Sequence, residues 1–327
     1  MCTAISVYGK NHYFGRNLDF TFEFGEKITI TPRNYVFNFR NGEVIKSHEA
    51  IIGMAISEDN YPLYFEGTNE SGLSVAGLYF PGNACYNEPC KGRINVASFE
   101  LIPWILCKCK VADEAEMILS EINITNEAFS EKIKPTPLHW IIADKNKALT
   151  LESTKEGTKF YKNPVGVLTN NPEFPYHIYN LNNYMSVSAE EPENKFSDKL
   201  DLAPYSKGMG AIGLPGDNSS ASRFIRAAFA AQNAVWSEDE NKNIRQFFHI
   251  LHSVFQQKGT VRTKGGYEMT NYTSCCDTDK GIYYYTTYYN GNISAVSMQN
   301  ENLSGDKIIS YEIKKEEKIN LQNLTKR

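Results

Sequence analysis

The chain has 327 residues, with 34 Lys and Arg against 38 Asp and Glu, a net charge of −4 and a pI near 5.9. This mild acidity, with no clustered basic stripe, excludes a protein that reads nucleic-acid phosphates. With no run approaching the ~20 apolar residues of a membrane span and no charged-then-apolar leader, the sequence reads as a cytoplasmic globular protein.

The first predicted element is a hairpin. Thr3 to Tyr8 is β-rich, Gly9-Lys10-Asn11 supplies the turn, and Tyr13-Phe14 starts the return strand. Strand character continues at Thr29 to Pro32, Val36 to Phe39, Ala50 to Ile56 and Ser74 to Phe80. Apolar residues three and four apart then predict helices over Ala97 to Cys109, Val111 to Ile122 and Ser222 to Val235, with Asp113 as the N-cap of the second. Strands return at Leu138 to Ala143, Ala148 to Glu152, Val165 to Thr169, Tyr272 to Cys275, Gly281 to Tyr288 and Ser294 to Ser297. Blocks of strands with segregated helices indicate an α+β architecture with antiparallel sheets. The segment from Tyr184 to Lys207 reads as a linker or a surface arm, and the polar tail Asn320 to Arg327 is expected to fray.

Several features are weighed and set aside. Seven cysteines, an odd number, predict no disulfide framework and lack the paired spacing of a zinc site. Cys85, Cys90, Cys107, Cys109, Cys275 and Cys276 are read as structural or incidental thiols. His249 and His252 share a helical face without an acidic partner, so no metal is expected. Gly208 to Gly213 matches G-x-G-x-x-G, but no strand precedes it and Pro215 and Gly216 stand where a helix should begin. It reads as a glycine-rich turn.

The N-terminus carries the chemistry. Met1 is followed by Cys2, Thr3 and Ala4, a context in which the initiator Met is expected to be removed. That would place a thiol and a free α-amine on one residue, a nucleophile that brings its own base. Arg16 and Asp19 lie on the return strand of the same hairpin, where a cation can favour the thiolate and a carboxylate can hold the amine.

These residues sit within a wider pattern. Met1-Cys2-Thr3-Ala4-Ile5, Tyr13 to Asp19, Pro137-Leu138-His139-Trp140, Asn163 to Pro172, and Gly213 to Asp217 followed by Ser222-Arg223-Phe224 together resemble the choloylglycine hydrolase family. That family contains bile salt hydrolases and penicillin V acylases. The resemblance runs nearly end to end and implies a single catalytic domain over residues 2–327. The implied fold is a four-layer αββα sandwich with two antiparallel sheets, assembled as a homotetramer and using no cofactor. It implies Cys2 as nucleophile, Arg16 and Asp19 as its supports, Asn170 as the polar residue facing the reacting carbonyl, and Arg223 in a second layer. Tyr79 departs from the bile salt hydrolase pattern, which carries Asn there, and is similar to several penicillin V acylases.

The implied substrate is a small N-acyl amide: a conjugated bile salt or, alternatively, penicillin V. Transfer of the acyl group to an amine, or a binding protein on the same fold, are the other readings. A large apolar acyl group would be held by Leu18, Phe20 and Phe24, by Tyr61 and Phe65, and by Phe129, Ile133 and Leu138.

Overall fold

Strands β1 (Cys2–Tyr8) and β2 (His12–Phe20) pair antiparallel in the computed structural model, with Cys2 opposite Leu18 and Ala4 opposite Arg16. The model describes residues 1–323, so the last four residues of the polar tail lie outside the described residues. β2 is far longer than the Tyr13-Phe14 pair suggests. Its continuation through Arg16, Asn17 and Asp19 is polar in sequence yet buried, because this strand is covered on both faces.

The hairpin lies in a six-stranded antiparallel sheet. Val167–Leu168 flanks β1, and Met269–Asp277, Ile282–Thr287 and Asn290–Ser297 continue beyond β2. Gly15 makes the central pairing possible: a Cβ there would stand 2.0 Å from the Ser274 carbonyl oxygen. A second, eight-stranded sheet runs from Gly157–Lys162 through Ala148–Thr154, Leu138–Ala143, Ser74–Tyr79, Tyr61–Asn69, Ile51–Glu58 and Lys27–Thr31 to Ile309–Glu312. All its pairings are antiparallel.

Among the described residues five α-helices complete the layers: α1 (Leu101–Lys108), α2 (Ala112–Leu119), α3 (Phe174–Asn180), α4 (Ser220–Gln232) and α5 (Glu240–His252). α4 and α5 cover the six-stranded sheet, and α1 and α2 cover the eight-stranded one, which gives the expected αββα order. One apolar core joins the inner faces of the sheets to α4 and α5 through Ala4, Ile28, Leu78, Phe224 and Phe247. The second lies beneath α1 and α2 around Trp104, Trp140 and Leu149. Truncating a fully buried Phe224 would cost about 3–5 kcal/mol.

Several boundaries move. Residues Ile94–Ala97 form a strand paired in parallel with Ile122–Thr125, so the helix predicted from Ala97 begins at Leu101. The N-cap of α2 is Val111; Asp113 lies within the first turn, where its charge still opposes the helix dipole favourably. α5 was signalled only by the His249 and His252 face. Its cap is Asp239, whose carboxylate accepts the Asn241 N–H at 3.0 Å. Both histidines lie exposed on its outer surface.

The glycine-rich run forms a single 3-10 turn, Met209–Ala211. A Cβ on Gly210 would stand 1.9 Å from the Glu190 carbonyl oxygen, so this glycine serves to seat the neighbouring arm. Among the described residues no helix is long and apolar enough to cross a membrane.

Candidate active site

Cys2 opens β1 at the inner face of the six-stranded sheet and is 2 % exposed. Residues directly opposite in an antiparallel pair share a face. Cys2, Leu18, Ala4 and Arg16 therefore look toward the eight-stranded sheet, and Thr3, Asn17 and Asp19 look toward α4 and α5. The sequence reading brought Arg16 and Asp19 to Cys2 together; the fold brings them from opposite faces.

Arg16 crosses the gap between the sheets. Its Nη1 donates to the Gly77 carbonyl at 2.6 Å and stands 3.8 Å from Glu66 Oε2. Its buried Nε has no hydrogen-bond partner among the described residues. Burial opposes the guanidinium charge, but the nearby Cys2 sulfur, Tyr272, Glu66 and Asp19 hold its pKa above the ordinary arginine value.

Arg223 reaches Cys2 from the other side. It projects from α4, whose start is fixed by the Ser219 hydroxyl accepting the Ser222 N–H. Its Nη1 donates to the Cys2 carbonyl and, at 2.7 Å, to Thr3 Oγ1, and its Nη2 donates to Asn170 Oδ1 at 2.6 Å. Burial lowers its pKa, opposed by the charges of Asp19, Cys2 and Glu268.

Asn170 follows the short Val167–Leu168 strand beside β1. Its Oδ1 accepts the Cys2 N–H at 2.9 Å, and its Nδ2 donates to the Tyr79 carbonyl at 2.7 Å. The orientation of the carboxamide is fixed by chemistry, because a guanidinium can only donate and so must face the oxygen. One Nδ2 proton is committed to Tyr79, and the second remains available as a donor.

Asp19 sits beneath the N-terminus. Thr270 Oγ1 donates to its Oδ1 at 2.6 Å, and its buried Oδ2 has no partner among the described residues. Burial pushes the carboxyl up, opposed by Arg223 and the terminal ammonium. The Met1 ammonium donates to the Asp19 carbonyl at 2.6 Å and to Glu268 Oε2 at 3.0 Å.

The aromatic residues divide into two groups. Phe20, Phe22 and Phe24 pack mutually with ring centroids 4.8–4.9 Å apart. Phe65 joins at 5.4 Å from Phe24, and Tyr79 at 6.4 Å from Phe20. This wall continues from Leu18, opposite Cys2, and Phe22 within it is 54 % exposed. Tyr61 and Phe129 pack instead with each other at 5.7 Å and with Phe99, and Tyr61 lies against the core beneath α1. Tyr61 and Phe65 are thus separated, although four residues apart on one strand: a bulge after Met54 interrupts its pairing. Leu138 stands opposite Tyr79 in its ladder while packing against the α1-side core, and Ile133 lies in the preceding loop, its N–H on Ser130 Oγ.

Three polar residues at the site escaped the sequence reading: Glu66, Thr270 and Glu268. Glu66 had one usable signal, an acidic residue within the apolar run of Tyr61–Asn69, and it is 2 % exposed. The other two lie at the start of the strand Met269–Asp277, Glu268 just before it and Thr270 within it, and only its pairing with β2 brings them to the N-terminus.

Residues 2–311 match the linear amide C–N hydrolases, choloylglycine hydrolase family. The chain is 49 % identical over 317 residues to a bile salt hydrolase/transferase of Lactiplantibacillus plantarum, covering 97 % of this chain and 98 % of that protein. A bile salt hydrolase/transferase of Clostridium perfringens is 38 % identical, covering 99 % and 100 %. A crystal structure of a mutant conjugated bile acid hydrolase from Clostridium perfringens superposes with a TM-score of 0.91 at 38 % identity, covering 99 % and 100 %. The penicillin V acylase of Agrobacterium tumefaciens shares the fold, with a TM-score of 0.76 at 18 % identity over 95 % and 91 % of the two chains.

Proposed function

Because the chain belongs to the choloylglycine hydrolase family of linear amide C–N hydrolases, we propose that it cleaves the amide bond of glycine- or taurine-conjugated bile salts through a Cys2 thioester. The observation that carries this reading is that Asn170 and Arg223 both bond the Cys2 backbone, with Arg16 on the same face of the hairpin, beside the wall of Phe20, Phe22, Phe24, Phe65 and Tyr79. Such a wall suits a broad apolar acyl group.

In this mechanism Met1 is removed and the Cys2 nitrogen becomes a free α-amine. The amine takes the thiol proton, the sulfur bonds to the amide carbon, and the carbonyl electron pair moves to oxygen. The remaining Asn170 amide proton and the Tyr79 backbone N–H meet that oxyanion. Collapse of the adduct breaks the C–N bond, and the leaving amine takes the proton back from the α-ammonium. Water then attacks the thioester, giving its proton to the α-amine, and the C–S bond breaks to restore Cys2. Asp19 Oδ2, buried and without a partner, is suited to hold the amine once Met1 has gone.

The bile salt assignment over penicillin V rests on the curated relatives at 35–49 % identity that carry bile salt or conjugated bile acid hydrolase names. Side-by-side assays on glycocholate, taurocholate and penicillin V test it. Preferred turnover of penicillin V would refute the assignment. Added glycine or taurine in the same assays separates hydrolysis from transfer, which the hydrolase/transferase names of relatives make a second reading.

The proposed catalytic unit is the whole chain from Cys2, acting in a reducing cytoplasm where seven free thiols persist. The exposed Met185, Phe196, Tyr205 and Ile212 are the proposed subunit contacts of a homotetramer, which native mass spectrometry would check.

A further inference from the structure

Glu66 comes from the eight-stranded sheet and is held by the six-stranded one. Its Oε1 accepts from the Tyr283 hydroxyl and, at 3.1 Å, from Ser274 Oγ; its Oε2 accepts from the Tyr272 hydroxyl at 2.8 Å. Arg16 Nη1 stands 3.8 Å from Oε2. Both charged side chains are at most 2 % exposed. A lone buried charge is costly, so each of these two requires its partner. The three hydroxyl donors fix Glu66 independently of Arg16, and this rigid carboxylate sets where the longer guanidinium rests.

We propose that Glu66 is a positioning residue for Cys2: acting through Arg16, its fixed carboxylate holds the guanidinium across the sheet gap and tempers the positive charge felt by the Cys2 sulfur. The inference rests on the amidase reading of Cys2 and adds a residue to it. The charged and polar groups around Cys2 are Arg16 on its own face of the hairpin, Arg223 from α4 and Asn170 from beside β1, with Asp19 and Glu268 on the opposite face beside Arg223 and the N-terminus. Those facing Glu66 are Arg16, Tyr272, Ser274, Cys276 and Tyr283. Removing the Glu66 charge leaves Arg16 less opposed, so the Cys2 thiolate forms at lower pH. Removing the Tyr272 hydroxyl frees Oε2 to draw on Arg16 more strongly, so the thiolate forms at higher pH.

The test is the pH dependence of Cys2 alkylation by iodoacetamide, followed on the Cys2 peptide by mass spectrometry in protein shown to lack Met1. Glu66→Gln should lower the alkylation midpoint by roughly 0.5–1 pH unit, and Tyr272→Phe should raise it by a similar amount. Glu66→Asp keeps the charge and should restore the midpoint toward wild type. Midpoints unchanged in Glu66→Gln and Tyr272→Phe, with only the melting temperature lowered, would show a purely structural role and overturn the proposal. If Glu66→Gln does not fold, an unmoved midpoint in Tyr272→Phe has the same force. Because alkylation needs no turnover, a shifted midpoint in protein that cleaves no bile salt would defeat the substrate assignment alone.

Discussion

Asn170 accepts the backbone N–H of Cys2 at 2.9 Å while Arg223 donates to the same oxygen. In the proposed mechanism the carboxamide therefore has two separable tasks: its oxygen orients the Cys2 nitrogen, and its free N–H meets the oxyanion. Asn170→Ala removes both and should lower kcat by roughly 10²–10³ with a smaller change in KM. Asn170→Asp keeps the acceptor and deletes the donors. Activity of Asn170→Asp near that of Asn170→Ala identifies donation as the dominant role, whereas substantial recovery identifies orientation of the amine.

Cys2 is predicted to be the sole essential thiol. Burial pushes Cys109 and Cys276 up to about 12 and raises Cys107 and Cys275 as well, so these four stay protonated and unreactive at neutral pH. Cys2→Ser should lower turnover by several orders of magnitude. Replacing any of the other four should change kcat little in the folded fraction. An active Cys2→Ala enzyme would remove the basis of the mechanism.

Met1, when present, is stitched into the fold rather than free. Its ammonium is held by the Asp19 carbonyl and Glu268, and its own carbonyl accepts the Asp19 N–H at 2.9 Å. Protein that keeps Met1 should thus fold but be inactive, because the Cys2 nitrogen is then an amide without a basic lone pair. Methionine aminopeptidase should trim the denatured chain and leave the folded one intact, as read by intact mass. Full activity in protein of unprocessed mass would contradict this.

The sequence showed the apolar parts of the fold better than the polar ones. Leu138 to Ala143 is a strand with the predicted bounds because, His139 apart, its residues are apolar on both faces. The polar half of β2 and all of Tyr61–Asn69 were missed: Arg16, Asp19 and Glu66 break the hydrophobic pattern, and only long-range partners such as Thr270 and Tyr283 make their burial tolerable. The N-terminal thiol stood out in the sequence because the chemistry proposed for it depends on chain position. The wall around it was legible only in part, since adjacency in sequence placed Tyr61 with Phe65 and the bulged pairing places them apart.

His12 and His177 set the acid limit of stability. Burial lowers both to about 4, against an ordinary value of 6.5. Between those values the unfolded chain binds more protons than the native one, so stability falls as pH falls through this window and levels off below it. Each histidine contributes roughly 3 kcal/mol to that loss, the worth of moving its titration from 6.5 to about 4. The buried carboxyls of Asp19 and Glu66 are raised, which favours the native state as pH falls and opposes the trend. His12→Asn removes one histidine without touching the carboxyls, so its urea midpoint should fall less steeply from pH 6.5 to 4 than that of wild type. Parallel curves would assign the acid sensitivity elsewhere.

Tyr79 links the nucleophile's surroundings to the aromatic wall. Its carbonyl accepts the Asn170 N–H, and its ring lies 6.4 Å from that of Phe20. Tyr79→Asn keeps the backbone contact and replaces an aromatic surface with an amide able to bond the amine portion of a substrate. Basic amidase turnover should persist. The kcat/KM ratio of taurocholate or glycocholate to penicillin V should rise, and a tenfold change would correspond to about 1.4 kcal/mol between the two barriers. If the ratio is unchanged, the Tyr79 side chain does not set specificity. Selection would then fall to Phe20, Phe24 and Phe65, which stay with Leu18 on the Cys2 side, while Tyr61 packs against the other core and Phe129 packs on Tyr61.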